Sequence, residues 1–565
     1  MQNIDPGHPT TPRQIADAYV ETLSDLEPTV ATQLGNRPGQ DALPDYSPDG
    51  RAAVAAAQRA TLAELDAVGS PDELPVAERR AARLLRERLT AALDLDAAGE
   101  HLRLVSNLFS PVQQLRSVFL LMPTETADDW AVIGRRMRNV PGAARGYLAS
   151  LDEGLTRGLP AAARQAETVA GQLDTWLAAD WYRDFASSAP DALRAELDAA
   201  AGVATEGLAE IRDFLRGHYL ASPVVADAPD AVGRERYLLG ARQWTGADLD
   251  LADAYAFGWE EYHRLAAEMR EAADRVLPGE SPLAAMRHLE EHGEAVEGEA
   301  AIRGWLQELM DQAIDELGGR HFDIAEPLRH VEAMIAPPGS AAAPYYTRPS
   351  LDFSRPGRTW LPTMGATRFP VWHLVSTWYH EGVPGHHLQL AHWVYVQDQL
   401  SRYQASIGSV SASGEGWALY AERLMDELGY LTDPGRRLGY LSAQMLRAVR
   451  VIIDIGMHVG LRIPEGESFH PGELWTPELA LDFFMTHTGH DEEYSRSELV
   501  RYLGMPGQAI SYKLGERAWV AGREAARAAA GRRGEEFDLK SWHMAALSLG
   551  SLGLDDLAVE LPQLR

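Results

Sequence analysis

Apolar residues recur at three- and four-residue intervals through positions 11 to 335, on a background of Ala, Leu, Glu and Arg. In "AERRAARLLRERLTAALDLDAA" (77–98), Ala81, Leu84, Leu85, Leu89 and Leu93 fall on one helical stripe. Segments such as "SPDELP" (70–75) and "LPGESP" (277–282) bring together the residues that cap and stop helices, and they divide the run. These stripes predict helix-packing core and carry no chemistry. The pattern changes at "APPGSAAAPYYTRPSLDFSRPGRTWLPT" (336–363), rich in Pro, Gly and aromatics. Short strands are predicted at Tyr345–Thr347 and Thr359–Leu361, separated by the "SRPG" turn, with Pro362 restricting the second to a sheet edge or a strand end. Helical periodicity then returns and holds to the end. The expectation is a mainly α chain with a helical region over 1–335 and a second helical region with a small β element over 336–565. The two are expected to pack as one elongated fold around a cleft; no internal repeat is visible.

Composition narrows the class. At 565 residues the chain is long for one core, and its net charge of −30 argues against nucleic acid, whose phosphates need clustered cations. There is no cysteine, which excludes disulfides, thiol catalysis and cysteine-based zinc fingers. No apolar run approaches the ~20 residues that span a bilayer. The first residues, "MQNIDPGHPTTPRQIADAYV", lack a basic segment followed by an apolar core. A cytoplasmic chain with a peptide or small-molecule substrate, and no nucleic-acid or membrane partner, is the expectation.

One stretch carries candidate chemistry. "HEGVPGHH" (380–387) begins like the H-E-x-x-H helix of zinc peptidases, but the position four residues after His380 is Pro384, which cannot ligate. His386 and His387 arrive late. On an unbroken helix His387 returns to the face of His380 only about 10 Å further along, too far to share an ion bound at about 2 Å. A kink or bulge at Pro384 and Gly385 is therefore required to bring either histidine back. "GEGWALYAERL" (414–424) then offers Glu415 and Glu422, seven residues apart on one helix face. At that spacing one of them can ligate, and the other is expected to support a ligand or to serve as a salt-bridge partner. Two histidines, one carboxylate and an open water position make a catalytic zinc site. Arg450, Asp454 and His458 share a further helix face, where Asp454 could orient His458 toward substrate, or all three could form an ion-pair ladder.

"YHEGVPGHHLQ", "EGWALYAERL", "LRAVRVIIDIGMH" and "RYLGMPGQAISYKLG", in this order, closely resemble the bacterial domain-of-unknown-function 885 family over roughly residues 340 to 520. That family in turn looks like the mainly helical gluzincin metallopeptidases. The resemblance implies a large helical metallopeptidase-like fold with a deep cleft, a small β element before the active-site helix, and one zinc ion. It implies His380, His386 and Glu415 as ligands, Glu381 as the general base acting on the metal-bound water, and Tyr512 as oxyanion donor, with His458 assisting. His387, Glu422, Asp454 and Arg450 become supporting residues or alternative ligands, and Arg501 and Tyr502 candidate substrate contacts. The function implied is a zinc-dependent peptidase. A metal-dependent hydrolase of a non-peptide amide or ester, or a non-enzymatic helical binding protein, stands as the alternative.

Overall fold

Helix-forming composition prevails almost throughout. Among the described residues of the computed structural model (11–69, 73–336 and 343–565), 67% are helical and 4% lie in strands. Part of the predicted break at 70–75, and part of the change of texture at 336, lie outside those residues. The stripe over 77–98 is observed as the helix Val76–Ala97, which buries Ala81, Leu84, Leu85 and Leu89 and half-buries Leu93. The stop at 277–282 separates the helices Leu251–Val276 and Pro282–His292.

The chain forms two compact units. They divide at Leu239 and Gly240, well before the change of texture near 336, and the first unit takes back Ser497–Pro506 from late in the sequence. Its core is built on the helices Ala127–Thr156 and Arg194–Phe214, which bury Ile133, Met137, Val140, Leu208 and Ile211. Small residues let these helices come close: a Cβ on Gly207 would lie 3.1 Å from the backbone of Pro141.

The second unit, Gly240–Arg496 with Gly507–Arg565, centres on the long helix Pro434–Val459. Leu441, Ala448, Ile452, Ile453 and Ile455 of this helix are fully enclosed. Leu251–Val276 packs along it, with Gly258 seated against Val451 and Ile452. The helices Ser411–Glu427 and Ser511–Arg533 approach so closely that a Cβ on Gly416 would lie 2.4 Å from Gly515 Cα.

The β element is larger than the sequence suggests. Strand β1 (Ala295–Glu297) pairs antiparallel with β5 (Arg368–Pro370). A separate sheet has the order β2 (Val331–Ile335), β4 (Gly357–Leu361), β3 (Tyr345–Thr347). Both predicted strands are present, and Pro362 falls just past the end of β4. The expectation of helix up to residue 335 is corrected at β1 and β2. Each is a short segment whose partner lies well along the chain, so local periodicity carries no trace of the pairing.

Candidate metal centre

The interruption in the motif is a break between two helices. Leu374–Glu381 ends at the glutamate, and a new helix, His386–Tyr395, begins at the first histidine of the doublet. Gly385 N–H donates to Tyr379 O at 3.0 Å, and His387 N–H to Gly382 O at 3.1 Å, so the linker folds back onto the last turn. Space there is exhausted: a Cβ on Gly385 would sit 2.0 Å from His380 O, and one on Gly382 would sit 2.3 Å from Met310 Sδ. Only glycine fits at either end. Trp417 Nε1–H caps the turn by donating to Pro384 O at 2.9 Å and Gly385 O at 3.2 Å. The kink thereby returns a histidine to the level of His380, with the two rings 4.8 Å apart and nearly perpendicular.

The returning residue is His386. His380, Glu381 and His386 present ligand-type atoms within 4.8 Å of one another. Glu415 Oε2 lies 3.4 Å from His380 Nε2 and 3.5 Å from His386 Nε2. Both distances are long for an N–H···O bond, whose range ends near ~3.2 Å. They match the edge of a tetrahedron about an ion with ligands at about 2.0–2.1 Å, roughly 3.3–3.4 Å. His387 turns the other way. Its Nε2–H donates to Leu328 O at 2.8 Å, and Tyr346 O–H, from β3, donates to its Nδ1 at 3.0 Å. With both nitrogens occupied and burial holding its pKa down at about 4, His387 latches the sheet to the His386–Tyr395 helix.

The partners of His380 explain why carboxylates two turns apart both matter. Its Nδ1–H donates to Glu422 Oε1 at 2.8 Å, and Ser376 Oγ–H donates to the other oxygen of Glu422 at 2.5 Å. The imidazole thus spans from Glu422 to Glu415, and its tautomer is fixed with Nε2 facing Glu415. Two acceptors facing each other require a cation between them. Without a metal a proton takes that place: burial opposes the charged ring, but Glu415 and Glu422 outweigh it and push His380 up to about 10. The same pairing holds Glu415 and Glu422 below the usual carboxylate range despite the burial that opposes it. Glu381 differs. Burial dominates over His386 and His380, and its carboxyl is raised, as suits a proton acceptor in a dry site. The N/O donor set, the fixed tautomer and the spacing of Glu415 Oε2 from both histidines fit a zinc ion; among the described residues the group of three that comes together is His380, Glu381 and His386, and Glu415 adjoins both of its histidines.

The remaining predicted residues are less concentrated. Asp454 and His458 are fully enclosed, 3.8 Å apart, and Asp454 also accepts from Gly507 N–H at 3.1 Å. Asp454 therefore helps fix the turn that leads into the Ser511–Arg533 helix. Tyr512, on that helix, lies partly exposed with the Arg450 guanidinium 5.0 Å from its ring centre. Arg501 and Tyr502 lie in the first unit, where both bond Glu498, at 3.0 and 2.5 Å. The histidines, Glu381 and Glu415 belong to the second.

Ser376, Trp417 and Tyr346 escaped the sequence reading. Ser376 stands one turn before His380 on the same face, a spacing that signals proximity but not purpose. Trp417 lies inside a quoted motif; Tyr346 has no local signal.

No curated protein matches the chain. Two solved structures share its fold over nearly the whole length. A "putative lipoprotein" from Colwellia psychrerythraea is 21% identical, covering 98% of this chain and 99% of that one, with a TM-score of 0.81. A "putative lipoprotein of unknown function" from Shewanella oneidensis is 18% identical, covering 97% and 99%, with a TM-score of 0.73. Among the described residues no helix is long and apolar enough to cross a membrane. The family model described as "Bacterial protein of unknown function (DUF885)" matches residues 28–561, and the chain belongs to that family.

Proposed function

We propose that the protein is a zinc-dependent hydrolase of amide bonds, with peptides as substrate. The carrying observation is the position of Glu415 Oε2, at tetrahedral-edge distances from the Nε2 atoms of both His380 and His386, next to a buried Glu381 with a raised pKa. His380, His386 and Glu415 would hold the ion. A bound zinc supplies Lewis acidity toward the scissile carbonyl and lowers the pKa of water toward ~7. Glu381 accepts a proton from the attacking water and returns it to the leaving amine. Ser376 and Glu422 hold the His380 ring in place throughout.

The resemblance to gluzincin peptidases supports the same reading, with Tyr512 as the donor to the developing oxyanion; Tyr512→Phe should then lower kcat by ~10²-fold. The test is metal content by plasma mass spectrometry on tag-free protein and on His380→Ala, followed by a peptide-library digest with wild type and Glu381→Gln. About one zinc per chain, absent from His380→Ala, with cleavage by Glu381→Gln reduced ~10²–10⁴-fold, is the expected outcome. A wild-type protein that takes up no added zinc would sink the reading.

A further inference from the structure

In a chain this acidic, arginines find carboxylates readily. On the Pro434–Val459 helix, Arg436 pairs with Glu294 at 3.2 Å, and Arg437 with Glu268 at 3.0 Å and Asp426 at 3.2 Å. Arg447, on the same helix, is different. Its Nη1–H donates to Ala443 O at 2.9 Å, its Nε is buried with no hydrogen-bond partner, and among the described residues it makes no ion pair. The side chain as a whole remains partly exposed.

Its position is set by helix packing. Gly439 abuts the backbone of Trp372 and His373, where a Cβ would lie 2.2 Å from Trp372 O. Arg447 follows Gly439 by the same number of residues as Glu381 follows His373. The Arg447 charge acts on both Glu381 and Glu422, lowering each. A guanidinium near enough for its charge to act on Glu381 and Glu422, with a buried Nε that has no partner and a side chain that is partly open, lacks an anionic partner.

We propose that Arg447 is a substrate-binding residue that receives a carboxylate of the substrate beside the metal centre. The proposal rests on the hydrolase reading above and deepens it by giving the substrate class: peptides that present a carboxylate near the scissile bond. Charge balance favours it. With a divalent ion bound, Glu381, Glu415 and Glu422 would be offset by that ion and the guanidinium together, so an anionic substrate would meet a neutral centre. Without Arg447 the centre carries net negative charge and repels it. A carboxylate can come from a peptide C-terminus or from an acidic side chain, and the planar fork of arginine suits both.

The test measures binding by calorimetry in the Glu381→Gln protein, so that turnover does not intervene. The probes are N-acetyl-Ala-Ala-Phe as free acid, its C-terminal amide, and N-acetyl-Ala-Asp-Phe-amide. The free acid should bind at least tenfold more tightly than its amide. Adding Arg447→Ala should weaken the acid roughly 10- to 100-fold and leave the amide unchanged, with Arg447→Lys intermediate and confirming that the site still folds. If the aspartyl amide shows the same dependence on Arg447, the carboxylate comes from a side chain; if only the free acid does, it is the C-terminus. Equal weakening of acid and amide would overturn the proposal, leaving Arg447 as a counter-charge to Glu381. Running the same titrations with and without zinc, beside cleavage assays on wild type, separates the two readings. Acid preference without any cleavage removes the hydrolase and keeps the arginine site, while cleavage without acid preference does the reverse.

Discussion

The helices Ala127–Thr156 and Arg194–Phe214 of the first unit, and Leu374–Glu381 and Ser411–Glu427 of the second, are all well buried, but with different chemistry. The first pair encloses Ile133, Met137, Val140, Leu208 and Ile211, with a single buried charge, Arg136, that donates to Thr32 Oγ1 at 2.8 Å. The second pair encloses Trp378, Trp417 and Leu419, and among them His380, Glu381 and Glu422. Taking a charge out of water costs several kcal/mol per ion even after relaxation, and apolar replacements of similar shape are often as stable. The first pair carries one such charge, whereas the second gathers two carboxylates and an imidazole in one place. The buried His380–Glu422–Ser376 chain is therefore best understood as the cost of a function, and the two regions should respond in opposite ways to substitution.

The largest contrast pairs Glu381→Gln with Leu208→Ala. The glutamine keeps the volume and removes a carboxyl that burial already disfavours in its charged form. Activity should fall by ~10²–10⁴-fold with thermal stability unchanged or slightly raised. Leu208→Ala should cost about 2–5 kcal/mol of stability and leave metal content at its wild-type level, because it removes packing and nothing else. Denaturant titrations, metal analysis and turnover on both proteins check the pair. A stability loss in Glu381→Gln as large as in Leu208→Ala would break the comparison.

Next in size is Glu422→Gln. The amide keeps an acceptor near His380 Nδ1 but removes the charge that fixes its tautomer, and zinc affinity should drop about 10- to 100-fold. Competition with a chromophoric chelator measures this directly. Unchanged affinity would reduce Glu422 to a packing residue, no different in kind from those of the first unit.

How much of this was legible in the sequence follows from the range of the interactions. The helices, the turn at 277–282 and strands β3 and β4 are written in periodicity and in Gly and Pro, which act locally. The requirement that the chain kink at Pro384–Gly385 also follows from helix geometry alone. Which histidine returns does not, because it depends on Tyr346 and Leu328 O taking both nitrogens of His387, and those partners come from a sheet and a turn elsewhere in the chain. Strands β1 and β2 were illegible for the same reason. Arg447 lay inside a quoted motif, yet what distinguishes it is the absence of an ion pair that other arginines of its helix possess. No sequence pattern records that.

The smallest expected effect is a pH response that differs between the regions. His543 lies behind the Ser411–Glu427 helix, accepts from Tyr420 O–H at 2.7 Å, stacks on Phe322 and is fully enclosed. Burial first, and the nearby Arg523 charge second, hold its pKa down at about 3. Its ordinary value is ~6.5, so the unfolded chain takes up the proton first as pH falls. The stability His543 contributes is therefore complete above ~6.5 and is lost progressively on acidification toward 3, reaching about 2 kcal/mol by pH 5. The Arg194–Phe214 helix contains no histidine and has no such sensitivity of its own. Amide hydrogen exchange resolves the two regions separately. Between pH 7 and pH 5, corrected for the intrinsic rate, protection of the Leu539–Leu547 helix should fall by more than tenfold, while that of Arg194–Phe214 changes little. His543→Gln should flatten the response of the first without altering the second. A matching loss in both helices would mean that the acid sensitivity is global and owes nothing to this histidine, and the contrast between a core built for packing and one that carries buried polar machinery would lose its simplest physical signature.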